Sequence, residues 1–168
     1  NNLEYVDFAR TQTREILGRY RVDAFFFDMV WWMSVCSCPS CRGRYRAEAG
    51  SELPETVDWL DPRWCEFQAA RERWLSEFAE VLRSTVRELR PEIPVYHNFA
   101  LGAANWTRAV NFESARAHDF LGGDFYGGAE EQLLVSRLML NLSERRPVEF
   151  MTTVTASLAE HERLKPQV

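Results

Sequence analysis

Apolar residues along this chain follow two rhythms that take turns, a helical spacing of three to four residues and short unbroken runs. From Leu3 to Tyr20 the apolar positions Val6, Ala9, Ile16, Leu17 and Tyr20 share a face with Thr13, and charged residues lie between them, which predicts a first helix. Val22 to Phe27 is then nearly continuous, too short for a helix and rich in aromatics, the pattern of a parallel strand buried on both faces. That strand ends on Asp28, and Trp31 and Trp32 follow. Arg42 to Ala49 predicts a short helix stopping at Gly50, and Pro54 to Trp59 a connecting loop. Asp61-Pro62 is a strong helix start, because aspartate caps free amides and proline is tolerated at the first helical position. The helix it opens should run to about Leu89, with Phe67, Ala70, Trp74, Phe78, Leu82, Thr85 and Leu89 on one stripe and Pro91 and Pro94 ending the pattern. A second strand is expected over Val95 to Asn98 and weak helix over Trp106 to His118. Phe120 to Gly128 is an apolar entry followed by two glycine pairs flanking Asp124, where glycine permits sharp turns or close backbone approach. A helix over Ala129 to Ser143 and a last strand over Val148 to Thr152 follow, and Ser157 to Lys165 is polar.

This alternation is that of right-handed βαβ units, so the expected fold class is α/β, with about four parallel strands and flanking helices. An eight-stranded barrel takes about 250 residues, so 168 residues make a single domain holding roughly half of a (β/α)8 barrel, or else a small open sheet. In either case ligands gather at the carboxyl ends of the strands, where Asp28, His97, Asn98, Asp124 and Glu149 are expected to fall. That convergence makes them candidates for an active site.

Composition narrows the picture. The apolar fraction of 46% is globular, and no apolar segment approaches the roughly 20 residues of a membrane span, so no membrane partner and a cytoplasmic protein are expected. The net charge is −5 and the arginines are dispersed, so no nucleic-acid partner is expected. The chain opens on Asn1 directly into a helical pattern and reads as a partial piece. The glycine doublets lack the spacing and lysine of a nucleotide loop. Three of the four cysteines, Cys36, Cys38 and Cys41, fall within six residues, and such thiolates can turn inward on one ion with bonds of about 2.3 Å. Cys65 either closes that site or leaves the fourth ligand outside the chain. No organic cofactor is expected.

The segments FFFDMVWW, CSCPSCRGRY, WLDPRW, VYHN, FLGGDFYGG and RPVEFMTT resemble the glycoside hydrolases related to α-L-fucosidases and family forty-two β-galactosidases. The resemblance implies a (β/α)8 barrel, with this chain running from before the fourth strand to just past the seventh. It implies that Asp28 matches an aspartate nucleophile and Asp124 an acid/base from the sixth-strand region. In the β-galactosidase pattern the nucleophile is a glutamate on the seventh strand, which makes Glu149 the rival partner. A similar cysteine loop in those galactosidases binds a structural zinc, so Cys36, Cys38 and Cys41 match three of its ligands.

On this reading, hydrolysis proceeds with retention through two carboxyl groups about 5 to 5.5 Å apart, Asp28 attacking and Asp124 protonating the leaving oxygen. Phe125 and Tyr126 are the expected apolar cover for the acid, Tyr126 also counting as a substrate contact. His97 and Asn98 are expected to hydrogen-bond sugar hydroxyls, and Trp31 or Trp32 to stack on the ring of a carbohydrate substrate. Two other classes compete: a non-catalytic half-barrel fragment forming a homo-oligomer through open sheet edges, and a carbohydrate-binding module.

Overall fold

The computed structural model describes residues 1–99, 105–125 and 128–152. Helix α1 (Leu3–Arg19) starts at Asn2, whose side chain accepts the Tyr5 N–H, and leads to strand β1 (Phe25–Phe27). Helix α2 (Pro39–Ala49) begins with proline in its first turn and ends at Gly50, whose φ of 68° is the left-handed conformation glycine adopts without strain. Helix α3 (Pro62–Leu89) is capped by the Asp61 side chain on the Arg63 N–H and stops just before Pro91. Strand β2 (Val95–His97), two 3-10 turns (Trp106–Arg108 and Ser114–Ala117), strand β3 (Asp124–Phe125), helix α4 (Ala129–Leu142) and strand β4 (Met151–Thr152) complete the order. Among the described residues no helix is long and apolar enough to cross a membrane.

Helix α3 is the spine. Of its expected stripe, Phe67, Ala70, Trp74, Leu82 and Thr85 are buried, Phe78 is half-buried and Leu89 is exposed; Trp64, Gln68, Arg71 and Val86 are buried as well. Tyr45 and Cys41 of α2 pack on its first half, and Leu17 of α1 meets Val86, Phe25 and Val95 at its second. Each large side chain removed from water here contributes on the order of 2 kcal/mol. Only part of the stripe expected for α1 is used: Thr13 and Leu17 are buried, whereas Ile16 and Tyr20 are exposed.

The expected fold class needs correction. The described residues contain no four-stranded parallel ladder and no partial (β/α)8 barrel; they form two separate two-stranded parallel pairs, β1–β2 and β3–β4, with an isolated bridge between Leu121 and Val148. Each strand is two or three residues long, so the 22–28 run becomes a strand only over Phe25–Phe27. The physical reason lies between β2 and β3. One backbone bond, Asp119 N–H to the Val95 carbonyl, starts a ladder there, but Asn98 then places its side chain where the ladder would continue and accepts the Asp124 N–H itself.

Pairing in register sorts the side chains onto two faces with period two. Phe25 lies opposite Val95, Phe26 opposite Tyr96 and Phe27 opposite His97. Phe26, Tyr96 and Phe120 stack in one row, with ring centroids 4.6 and 4.2 Å apart. Phe27, His97 and Phe99 stack on the other face.

Asp119 ties this sheet to α3. It accepts the Val95 N–H at 2.7 Å and pairs with Arg83 at 3.1 Å and Arg87 at 2.7 Å. Burial works to raise its pKa, but the Val95 N–H and the two guanidiniums outweigh that and hold it below the usual carboxylate value. A carboxyl depressed by folding contributes stability above its unfolded pKa and loses it as pH falls through the lower folded value. Asp119→Asn should therefore cost about 1–3 kcal/mol at pH 7, and the gap to wild type should narrow as pH falls below the ordinary carboxylate range and through the lowered folded value. Urea unfolding at several pH values checks this; a gap that does not narrow on acidification removes Asp119 from the acid limb.

Candidate active site and metal centre

Asp28 directly follows β1 and Asn98 directly follows β2, so parallel pairing puts them side by side. The chain turns sharply after Asp28, with Met29 at a φ of 55°. Asn98 is buried and donates from Nδ2 to Asp28 Oδ1 at 2.9 Å and to Asp124 Oδ2 at 2.7 Å. Two carboxylate oxygens thus share one nitrogen and lie no more than about 5.6 Å apart, the combined length of those bonds. Asn98 Oδ1 accepts the Asp124 N–H at 3.0 Å, so this one amide aims both carboxylates and has both of its N–H groups engaged.

The approach depends on the first glycine doublet. A Cβ on Gly123 would lie 2.2 Å from Asn98 Oδ1, and the residue's φ is 123°. A Cβ on Gly122 would lie 2.8 Å from the Glu149 carbonyl and 2.9 Å from its Cβ. Gly122 thereby brings Glu149 against the same corner, where its carboxylate meets the Tyr96 hydroxyl. Burial first, then the bond to Glu149, raises the Tyr96 pKa, so the phenol stays protonated and acts as a donor.

The expected site residues separate on this framework. Asp28, Asp124 and Glu149 come together, with Asp28 and Glu149 exposed and Asp124 half-buried. Asp124 and Glu149 do not close strands as expected: Asp124 opens β3, and Glu149 falls between the Val148 bridge and β4. Asn98 spends both N–H groups on the two carboxylates, which leaves its Oδ1 as the one group able to accept from a sugar hydroxyl. His97 faces the opposite side, fully buried against Phe27, Phe99 and His118. Burial, and then the neighbouring His118, push its pKa well below that of a free imidazole; burial followed by Arg146 lowers His118 to about 3. Both are neutral and outside the carboxylate cluster. Trp32 is structural, its indole N–H donating to the Arg71 carbonyl at 3.0 Å. Trp31 lies under Arg108 and lines a cavity of about 180 Å3 with Tyr5, Met29 and Phe78. Asp28 lines an adjoining groove of about 230 Å3 beside α1, sharing Tyr5, Met29 and Phe78. A larger cavity, about 740 Å3, lies between the starts of α1 and α2 and includes none of the carboxylates. Phe125 is buried against Phe150 and does not cover Asp124. Tyr126, Gly127 and the 157–165 stretch lie outside the described residues.

No family model, curated protein or solved structure matches this chain.

Tyr96 was not among the expected residues, yet the alternation Val95, Tyr96, His97, Asn98 carried the signal: Tyr96 and Asn98 must share a face, and His97 cannot join them.

The cysteines form a second centre. The sulfurs of Cys36, Cys38 and Cys41 all lie within 4.8 Å of one another, close enough to hold a metal ion. Cys38 stands at the N-cap position of α2, where the nearby Cys41 N–H lowers its thiol to about 7, while burial pushes Cys41 up to about 12. Three soft donors on a helix N-terminus suit a thiophilic cation. Cys65 stays outside the cluster, exposed and bonded to the Trp59 carbonyl at 3.4 Å.

Proposed function

We propose that this chain carries the catalytic pair of a retaining glycoside hydrolase acting on α-L-fucoside-like substrates, with Asp28 as nucleophile and Asp124 as acid/base. The observation that carries the reading is the Asn98 amide, which holds one oxygen of each carboxylate within about 5.6 Å of the other. Retaining cleavage needs its carboxyl groups at such a range, about 5 to 5.5 Å. In the first step Asp28 attacks the anomeric carbon while Asp124 gives a proton to the departing oxygen. In the second Asp124 takes a proton from water, and the resulting nucleophile releases the sugar from its ester on Asp28. Asn98 fixes both groups, leaving Asp28 Oδ2 to attack. The Tyr96 hydroxyl donates to Glu149 beside the pair. At the cysteines, zinc is the ion we assign to Cys36, Cys38 and Cys41, serving structure rather than chemistry because thiolates dominate structural sites, which a fourth ligand closes.

The test uses a slow fluorosugar, 2-deoxy-2-fluoro-α-L-fucosyl fluoride, followed by peptide mass analysis. The fluorine slows both steps, so a glycosyl ester should accumulate on the peptide holding Asp28. A label on Glu149 would transfer the nucleophile role there. An unlabelled protein that also fails to hydrolyse aryl fucosides but retains sugar would be a binding module.

A further inference from the structure

Arg71 on α3 is 1% exposed and forms no ion pair among the described residues. Its guanidinium donates to Gln68 Oε1 at 2.5 Å, to the Thr107 carbonyl at 2.6 Å and to the Ser34 carbonyl at 3.3 Å, and its Nε has no partner. Glu72 acts on it through space but is hydrogen-bonded to Gln68. A buried cation without a counter-charge is costly. Its bond to the Ser34 carbonyl sets the guanidinium two residues before Cys36, and Cys36 and Cys41 pack in one cluster with Ala70 and Trp74, which flank Arg71 on α3.

We propose that Arg71 is the buried counter-ion of an anionic tris-thiolate metal centre at Cys36, Cys38 and Cys41. The inference rests on the metal reading above. As a divalent ion enters, each thiol still protonated releases its proton to solvent, and three thiolates with one divalent cation carry a net charge of −1. The guanidinium neutralises that charge from the helix behind. Because the same guanidinium grips Ser34 and Thr107 and lies 5.8 Å from the Trp32 ring, metal occupancy also fastens the segment leading into the cysteine loop to the 3-10 turn Trp106–Arg108. Arg71 is thus a positioning residue that bonds the chain just before Cys36 and, among the described residues, touches no metal ligand through a hydrogen bond.

The experiment is anaerobic zinc titration of the reduced protein against a chromophoric chelator, for wild type, Arg71→Met and Arg71→Lys. Arg71→Met should bind zinc about 10- to 100-fold more weakly, as outer-shell losses do. Arg71→Lys, which keeps the charge, should recover most of that loss. A merely structural arginine would lower the thermal midpoints of metal-free and zinc-loaded protein together, whereas a counter-ion shrinks only the increase that zinc produces. If Arg71→Met fails to fold, Arg71→Gln removes the charge while keeping a donor and carries the same comparison. Equal zinc affinity in the neutral variant and wild type overturns the counter-ion role and leaves the metal site standing. A wild-type protein that takes up no zinc overturns both.

Discussion

Asp28→Asn should lower turnover of an aryl α-L-fucoside by at least about 10³-fold, because an amide cannot form the glycosyl ester that splits the reaction into two easier steps. The substitution is nearly isosteric, and Asp28 is exposed and accepts a side-chain bond from Asn98 Nδ2 at 2.9 Å. A carboxamide oxygen accepts that bond as well as a carboxylate oxygen does, though without the charge, so the fold should lose no more than about 1 kcal/mol. The measurements are initial rates on 4-nitrophenyl α-L-fucoside and a thermal melt of the same sample. A variant that keeps its rate would remove Asp28 from the nucleophile role, and one that loses rate only because it melts early would say nothing for it. The pairing of a large kinetic effect with an unchanged melt is therefore the expected signature.

The second large effect is structural. Gly123→Ala should destabilise the chain by about 3 kcal/mol, adding left-handed strain to an overpacked contact, and should lower the melting midpoint by about 6–12 °C for a chain of this size. At that position φ is 123°, and the new Cβ would lie 2.2 Å from Asn98 Oδ1 and 3.1 Å from Asn98 Cα. Asn98 cannot retreat without releasing the Asp124 N–H and both carboxylates, so the pair loses its alignment even in molecules that fold. Gly50→Ala is the control: its φ is 68° but nothing lies within 4 Å of the added Cβ, so it should cost only about 1 kcal/mol. Equal losses in the two variants, read by thermal unfolding, would show that contact with Asn98 adds nothing to strain.

The helices were legible because their rules are local. Asp61-Pro62 opens α3 and Pro91 follows its end, and Gly50 closes α2 in the left-handed conformation. Helix α2 nonetheless begins at Pro39, three residues before the expected Arg42, because proline at the first helical position needs no N–H. The 106–118 stretch resolves into two 3-10 turns, since Asn105, Asn111 and Ser114 turn their side chains on nearby backbone groups and compete with a continuous helix. The barrel expectation went astray at the strands. Counting apolar runs says where a strand fits, but whether neighbouring runs share a ladder depends on the backbone bonds between them, and Asn98 occupies that place with its side chain.

By itself the sequence determined what spacing of a few residues can enforce: the capped helices, the closeness of Cys36, Cys38 and Cys41, and the glycine doublet that some close approach would need. It also placed Asp28 and Asn98 immediately after short apolar runs. Only the tertiary structure decided that Asn98 joins two aspartates, being 70 residues from Asp28 and 26 from Asp124. It alone turned His97 into the interior, and it brought Arg71 to the Ser34 carbonyl, 37 residues away. Helical and strand periodicity act through neighbours within a turn or a pleat. A contact between distant residues depends instead on how α3 and the paired strands pack, and that is settled by shape and hydrogen bonding across the whole chain.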